Sequence, residues 1–246
     1  MGDHELTVRF RKARRDPALT VVEGFHALKH ALRFGAELVE AVAVDPLALE
    51  ELAQELAPDL AGELGGRVEC IDAAQLADLV PLVPHTGVVA IARRPPVDVA
   101  GVLADPRPAP VVLLEQPKNM GNIGACIRVA AAADAAAVLT TGGNDPWFPD
   151  AVRGAAGLHF ALPVTAVEAL PASDRPLLAI DPEGEELRLG LLPARAVLAF
   201  GTERHGVSNE LLERADARIA IPMREGVSSL NLATSVAVAL YCQRIG

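Results

Sequence analysis

Cysteine is scarce. Three in 246 residues, at 70, 126 and 242, are too few and too scattered for a disulfide framework or a thiolate cage, and they fit reduced thiols in a cytoplasm. No cluster of His, Cys and carboxylates has metal-ligand spacing, so no metal is expected. No Gly-x-Gly-x-x-Gly follows an apolar strand and no Walker loop occurs. Thr141-Gly-Gly-Asn144 is the nearest approach and is too weak to use, which makes an NAD or nucleoside-triphosphate enzyme the poorer reading. No apolar run is long enough to span a bilayer, because Arg128 and Asp134 interrupt even the alanine-rich middle. The amino end is charged and lacks the apolar core of a secretory signal, so a cytoplasmic protein with no membrane partner is expected. There is no internal repeat, and no low-complexity tract beyond the alanine bias.

What remains is a globular composition, 51% hydrophobic and 22% charged, in a chain long enough for one large domain or two modest ones. The net charge of −10 is unevenly spread. Residues Glu37 to Asp78 hold eleven acids and one base, while the remainder is balanced at 21 of each. Arg9, Arg11, Lys12, Arg14 and Arg15 place five cations within seven residues, a patch that a polyanion could meet while the acidic stretch faces water.

Along the chain, residues 5 to 15 read as a cationic helix. Strands are expected at Leu19–Val22, Leu38–Val44, Arg67–Ile71 and Val88–Ala92, with helices at Phe25–Phe34, Pro46–Leu56 and Ala73–Leu79. This alternation predicts a small α/β domain over residues 1–93. Residues 94–110 read as a stiff, irregular linker, since five prolines lie between Arg93 and Pro110. Beyond it, apolar strands are legible at Val111–Leu114, Ala137–Thr140, Leu177–Ile180, Val197–Phe200 and Ile219–Ile221. Near-continuous apolar strands imply a parallel sheet covered on both faces, in a second domain over 111–246.

Three stretches share a strand–loop–helix grammar: Val111–Ala133, Ala196–Leu212 and Ile219–Tyr241. Loops at the carboxyl ends of such strands form crevices that bind ligands. In the last stretch a helix is expected to open near Ser228 or Ser229, with Leu230, Ala233, Ala237 and Leu240 on its buried face. Taken singly, the polar residues have plain explanations. Arg128 could snorkel from an apolar helix, Glu203 and Arg204 could be solvated turn charges, and Ser229 and Asn231 could cap a helix. His205 is left unassigned, because a lone loop histidine is more often a surface residue than a base.

Together the pieces resemble the SpoU (TrmH-type) branch of the SPOUT RNA methyltransferases. They are Asn122-Ile-Gly-Ala-Cys-Ile-Arg128, Phe200-Gly-Thr-Glu-Arg-His-Gly-Val-Ser208, and Ile221-Pro-Met with Gly226 and Ser228-Ser-Leu-Asn231. Residues 1–93 also resemble the ribosomal-protein-like substrate-binding domain found ahead of such domains, on Arg14-Arg15, Val21-Val22-Glu23-Gly24 and His85-Thr-Gly-Val-Val-Ala90. The chain departs from the family where relatives read Ala-Phe-Gly-Ala-Asp-Gly and it has Ala132-Ala-Asp-Ala-Ala-Ala137. It departs again at Ala155, where a serine is common.

The resemblance implies a small α/β RNA-binding domain followed by a SPOUT domain with a parallel sheet and a deep trefoil knot. The implied reaction moves a methyl group from S-adenosylmethionine to a ribose 2′-hydroxyl. Arg128, Asn122, Glu203, Ser229 and Asn231 would form the reacting site, and Gly201, Ile221, Met223 and Leu230 the cofactor site. Arginine holds its proton far above neutral pH, so fixing a substrate phosphate suits Arg128 better than acting as a base. The implied partners are RNA, ribosomal more than transfer RNA, and a second copy of the chain through the C-terminal domain. The alternatives are a transfer-RNA 2′-O-methyltransferase, a base methyltransferase, and an RNA-binding or assembly protein with the fold but without the reaction.

Overall fold

The computed structural model describes residues 3–60, 62, 64, 66–202 and 205–246. The chain divides into two compact units. One holds the residues up to Pro95 together with Trp147–Ala161, and the other holds Pro96–Pro146 and Leu162–Gly246.

The first unit opens with α1 (Asp3–Ala13), followed by β1 (Leu19–Glu23), α2 (Phe25–Arg33), β2 (Leu38–Ala43), α3 (Pro46–Leu56), β3 (Glu69–Cys70), α4 (Ala73–Leu79) and β4 (Val88–Arg93). The expected alternation is present. The sheet order is β1-β4-β2-β3, with β4 antiparallel to both neighbours and β3 parallel to β2. Phe10 and Leu6 of α1 and Leu76 and Leu79 of α4 bury one face against Val21, Val42, Val89 and Ile91. The Asp45 carboxylate accepts from Leu47 and Ala48 N–H and starts α3 ahead of Pro46. Asp72 and Gln75 close a capping box on α4.

The second unit contributes α5 (Val99–Ala104), β5 (Val111–Leu114), α6 (Met120–Ala132), β6 (Ala137–Thr140), β7 (Val164–Ala166), β8 (Leu177–Glu186), β9 (Val197–Phe200), α8 (Asn209–Arg214), β10 (Ala217–Ala220) and α9 (Leu232–Ile245); α7 (Pro149–Gly154) belongs to the first unit. The strand order is β10-β8-β9-β5-β6-β7, and every pairing is parallel. Val111, Leu113, Ala137, Leu139, Val197 and Ala199 pack under Leu103 of α5 and Leu211 of α8. The alternate residues Val112, Leu114, Val138, Leu198 and Phe200 are buried too, so both faces are covered, as the apolar runs predict.

Several features differ from the sequence reading. The stretch expected as an irregular linker contains α5, because its prolines flank the helix instead of interrupting it, and Asp98 accepts from Gly101 N–H as its N-cap. The carboxyl end of α5 is held by two arginines. Arg175, a residue only 3% exposed, donates through its guanidinium to the carbonyls of Val102, Leu103, Asp105 and Ala109 at 2.8–3.1 Å. Arg195 donates to Leu103 and Asp105 carbonyls and pairs with Asp174. A cation satisfying the last carbonyls of a helix also meets its negative dipole end. Burial, and then Arg195, push the Arg175 pKa below its ordinary value, but its hydrogen-bond geometry is that of a charged donor.

Trp147–Ala161, which follows β6 in the chain, also packs with the first unit. Thr20 Oγ1 donates to Trp147 O at 2.9 Å, and Trp147 meets Phe160 edge-on at 5.1 Å. The Glu23 carboxylate, 1% exposed, receives both Arg14 and Arg153 at 2.6 Å. Strand β7 escaped notice because three residues, only one of them fully buried, leave little apolar signal.

Arg175→Met is expected to lower unfolding free energy by about 3 kcal/mol or more, since charged hydrogen bonds contribute roughly 1.5–3 kcal/mol each and orphaned carbonyls add to the loss. Urea denaturation measures it. A loss under about 1 kcal/mol would show that Arg195 alone suffices to cap α5.

Candidate active site

The carboxyl ends of β9 and β10, with the middle of β8, border a crevice of about 410 Å³. Phe200, Gly201, Thr202, His205 and Gly206 line it from the β9 side. Ile221, Met223, Ser228, Ser229 and Leu230 line it from the loop after β10, and Leu232 and Ser235 from the start of α9. All four residues expected to bind cofactor therefore meet in one cavity, with Ser229 beside them.

The loop after β9 is built backbone against backbone. Thr202 N–H donates to Gly206 O and Gly206 N–H to Thr202 O, both at 3.0 Å. A Cβ on Gly201 would lie 1.9 Å from the Gly206 carbonyl, so no side chain fits there without remaking the loop. Glu203 and Arg204, in the middle of this loop, lie outside the described residues. Its far end is clamped by Glu115, which follows β5 directly. The Glu115 carboxylate accepts from Ser208 N–H at 2.7 Å and from Ser208 Oγ at 2.5 Å, while Ser208 Oγ accepts from Leu211 N–H as the cap of α8. The sequence reading missed Glu115; the available signal was an acid at the mouth of a fully apolar strand.

The opposite wall comes from β8. Ala217 and Arg218 pair with Leu178 and Ala179, but Ile219 and Ala220 pair with Glu185 and Glu186. Ile180 through Gly184 thus have no partner on β10, and Ile180, Asp181, Pro182 and Glu183 line the crevice. Pro182 is tolerated because a bulge needs no ladder N–H. Gly184 returns the strand to its neighbour where a Cβ would fall 2.3 Å from the Arg218 carbonyl carbon.

The final helix starts later than expected. Its N-cap is Asn231, not Ser228 or Ser229: Asn231 Oδ1 accepts from Ala233 N–H at 2.9 Å. Its buried residues are Leu232, Val236, Ala239 and Leu240, so of the positions expected on that face only Leu240 is fully buried. Asn231 Nδ2 donates to Asn122 Oδ1 at 3.0 Å, joining the start of α9 to the first turn of α6. Asn119 caps α6 through Asn122 N–H. Arg128, two turns later, is exposed and is not among the crevice-lining residues. Asp134 adopts φ 58° just after α6, where the family pattern has glycine; aspartate is among the residues that tolerate this left-handed region. Among the described residues no group of three or more His, Cys, Asp or Glu is placed to hold a metal ion, and no helix is long and apolar enough to cross a membrane.

A parallel sheet with a ligand crevice at its carboxyl edge, fed by these three loops, is the architecture of an RNA ribose methyltransferase. The chain belongs to the SpoU rRNA methylase family, which matches residues 109–241, and residues 21–97 match the substrate-binding domain of RNA 2′-O ribose methyltransferases. It is 29% identical to the 23S rRNA (adenosine(1067)-2′-O)-methyltransferase of Streptomyces azureus, over 94% of this chain and 88% of that one. It is 30% identical to the 23S rRNA (guanosine-2′-O-)-methyltransferase of Bordetella pertussis, over 90% and 95%. Among solved structures, an RNA 2′-O ribose methyltransferase superposes with a TM-score of 0.70 at 29% identity, covering 98% of this chain and 93% of that one. The fold is also that of the SpoU methyltransferase AviRb from Streptomyces viridochromogenes in complex with AdoMet, with a TM-score of 0.78 at 24% identity over 99% and 96%.

Asn231→Ala removes the cap and the bond to Asn122 together. A lost N-cap costs about 1 kcal/mol, and a lost hydrogen bond about as much again. The expected result is a fall of about 1–2 kcal/mol in stability by urea titration, with Asn231→Ser recovering only the capping part. Equal stabilities for Asn231→Ala and Asn231→Ser would remove the cap from this account.

Proposed function

We propose that the chain transfers the methyl group of S-adenosylmethionine to a ribose 2′-hydroxyl of 23S ribosomal RNA in the cytoplasm. The observation that carries this reading is the meeting of Gly201, Ile221, Met223 and Leu230 in one crevice of a SpoU-family domain. The names of the curated relatives and the substrate-binding domain at 21–97 favour ribosomal over transfer RNA.

The crevice suits the donor: its size and its apolar side chains fit an adenosine, and backbone groups around Gly201, Ile221 and Leu230 would hold it. When bound, the sulfonium supplies a methyl carbon that is already electrophilic. The chain's own work is then alignment. Arg128 would fix a substrate phosphate beside the reacting hydroxyl through its two-pronged guanidinium. Asn122 and Asn231 act as positioning residues, since their mutual bond keeps α6 and the loop after β10 in register. Ser229 lines the cavity, where a role at the reacting centre is open to it; Glu203, which the family resemblance adds to the site, lies outside the described residues. The family's trefoil knot is part of this reading.

Arg128→Ala should leave S-adenosylmethionine affinity nearly intact by calorimetry while cutting tritiated methyl incorporation into ribosomal RNA by about a hundredfold or more, because an interaction made chiefly in the transition state is lost. Gly201 is unsuitable for testing the cofactor site, since any side chain there breaks the loop; Leu230→Arg is the cleaner block and should abolish binding. Transfer at the wild-type rate by Arg128→Ala would end this assignment.

RNA affinity is attributed to the first unit, on fewer cations than the sequence offers. Arg9 pairs with Glu40 and Arg14 with Glu23, both at 2.6 Å, whereas Arg11, Lys12 and Arg15 are exposed. Replacing those three by Glu should weaken RNA binding and reduce its salt slope by about three, one for each lost phosphate contact. Parallel slopes for the two proteins would exclude α1 from the interface.

Dimerisation through the second unit is supported by α9. Val238, Tyr241 and Ile245 are 37%, 43% and 72% exposed and recur at helical spacing on the face opposite its buried one. Light scattering at micromolar concentration should return twice 25.7 kDa, and Tyr241→Glu should return the monomer mass. A wild-type monomer that still methylates RNA would refute the pairing.

A further inference from the structure

The bulge of β8 gives the crevice a charge. Asp181 and Glu183 both line it, Asp181 half-buried and Glu183 exposed. Asp181 Oδ1 accepts from Glu183 N–H at 2.9 Å, which fixes the first carboxylate within the bulge. Among the described residues neither carboxylate is in an ion pair, and no lysine or arginine lines the cavity. His205, on the β9 side, is the one other described titratable group there. Among the described residues the crevice therefore presents two carboxylates with no fixed cation beside them.

This matters for a reaction whose donor and product differ chiefly in charge. The donor carries a sulfonium; once the carbon–sulfur bond has broken, the carbon–oxygen bond has formed and the hydroxyl proton has left, the sulfur is a neutral thioether. Two ligands of almost the same shape thus differ by one positive charge at the sulfur, and shape alone separates them poorly. A carboxylate attracts the cation and is nearly indifferent to the thioether. We infer that Asp181 and Glu183 make the crevice discriminate the cationic methyl donor from its neutral product, so that spent cofactor is exchanged for fresh. The inference rests on the reading of this crevice as the cofactor site. Its size is set by exposure: both groups touch solvent, so the effect is about three- to tenfold in relative affinity and falls with salt.

The test is calorimetric and needs no turnover. Dissociation constants for S-adenosylmethionine and S-adenosylhomocysteine are measured on the full chain, for wild type and for Asp181→Asn with Glu183→Gln, at low and high salt. The amide at 181 keeps an acceptor for Glu183 N–H, so the bulge is retained. Glu183→Gln alone, at an exposed side chain, is the control that carries no folding risk. The expected result is that the product-to-donor ratio of dissociation constants falls about fivefold in the double variant and less in the single one. The change should come from weaker donor binding with product binding unmoved, and high salt should shrink the wild-type ratio. Equal weakening of both ligands, or a ratio unmoved by neutralisation, overturns the charge inference and leaves the cofactor site standing. Failure of wild type to bind either ligand removes the cofactor site and the inference with it.

Discussion

Uniform strand direction is the constraint on which the second unit depends. Six strands pair only in parallel, so each must return by a crossover, and every loop leaving a carboxyl end emerges on one edge. Strands buried on both faces cannot carry polar chemistry within the sheet; it is displaced to that edge. There the middle of β8 supplies a bulge, the ends of β9 and β10 supply a backbone-paired loop and a capped helix start, and the crevice is the space they leave. Glu115 at the end of β5 and Asn122 at the start of α6 tie two of these loops to neighbouring elements. The edge is therefore held by side-chain bonds between segments far apart in sequence.

This division explains what was legible in the chain. Val111–Leu114 and Val197–Phe200 are four-residue apolar runs and Ala137–Thr140 is apolar but for its last residue, so burial on two faces is written directly into composition. The gathering of Gly201, Ile221, Met223 and Leu230 was legible only because three loop patterns occur in order. The start of α9 was misread because Ser228, Ser229 and Asn231 are all competent caps. What separates them is the bond from Asn231 to Asn122, 109 residues away. The β8 bulge was invisible for a similar reason: Leu177–Ile180 reads as a strand, and the slip that follows is set by β10. Likewise the helix within the proline-rich stretch depends on Arg175 and Arg195, which lie about 70 and 90 residues further along.

Arginine shows how the same side chain serves unlike ends. Arg175 is buried and spends its donors on a helix terminus, and Arg14 and Arg153 spend theirs on the buried carboxylate of Glu23. Counting such residues as RNA contacts would misjudge the interface, because breaking a buried pair leaves an uncompensated charge and costs about 3–5 kcal/mol. A cation available to a polyanion must be exposed and without an acidic partner.

That criterion also reconciles a net charge of −10 with an RNA substrate. At physiological salt charges are screened beyond about 8 Å, so a phosphate on α1 responds to the charges nearest it, and one of the acids between Glu37 and Asp78 is already engaged there, Glu40 being paired with Arg9. The charge of the crevice is likewise a local matter: Asp181 and Glu183 line it whatever the sign of the chain as a whole. The charge a ligand meets is therefore read from the side chains beside it, and the total of −10 argues neither for nor against an RNA substrate.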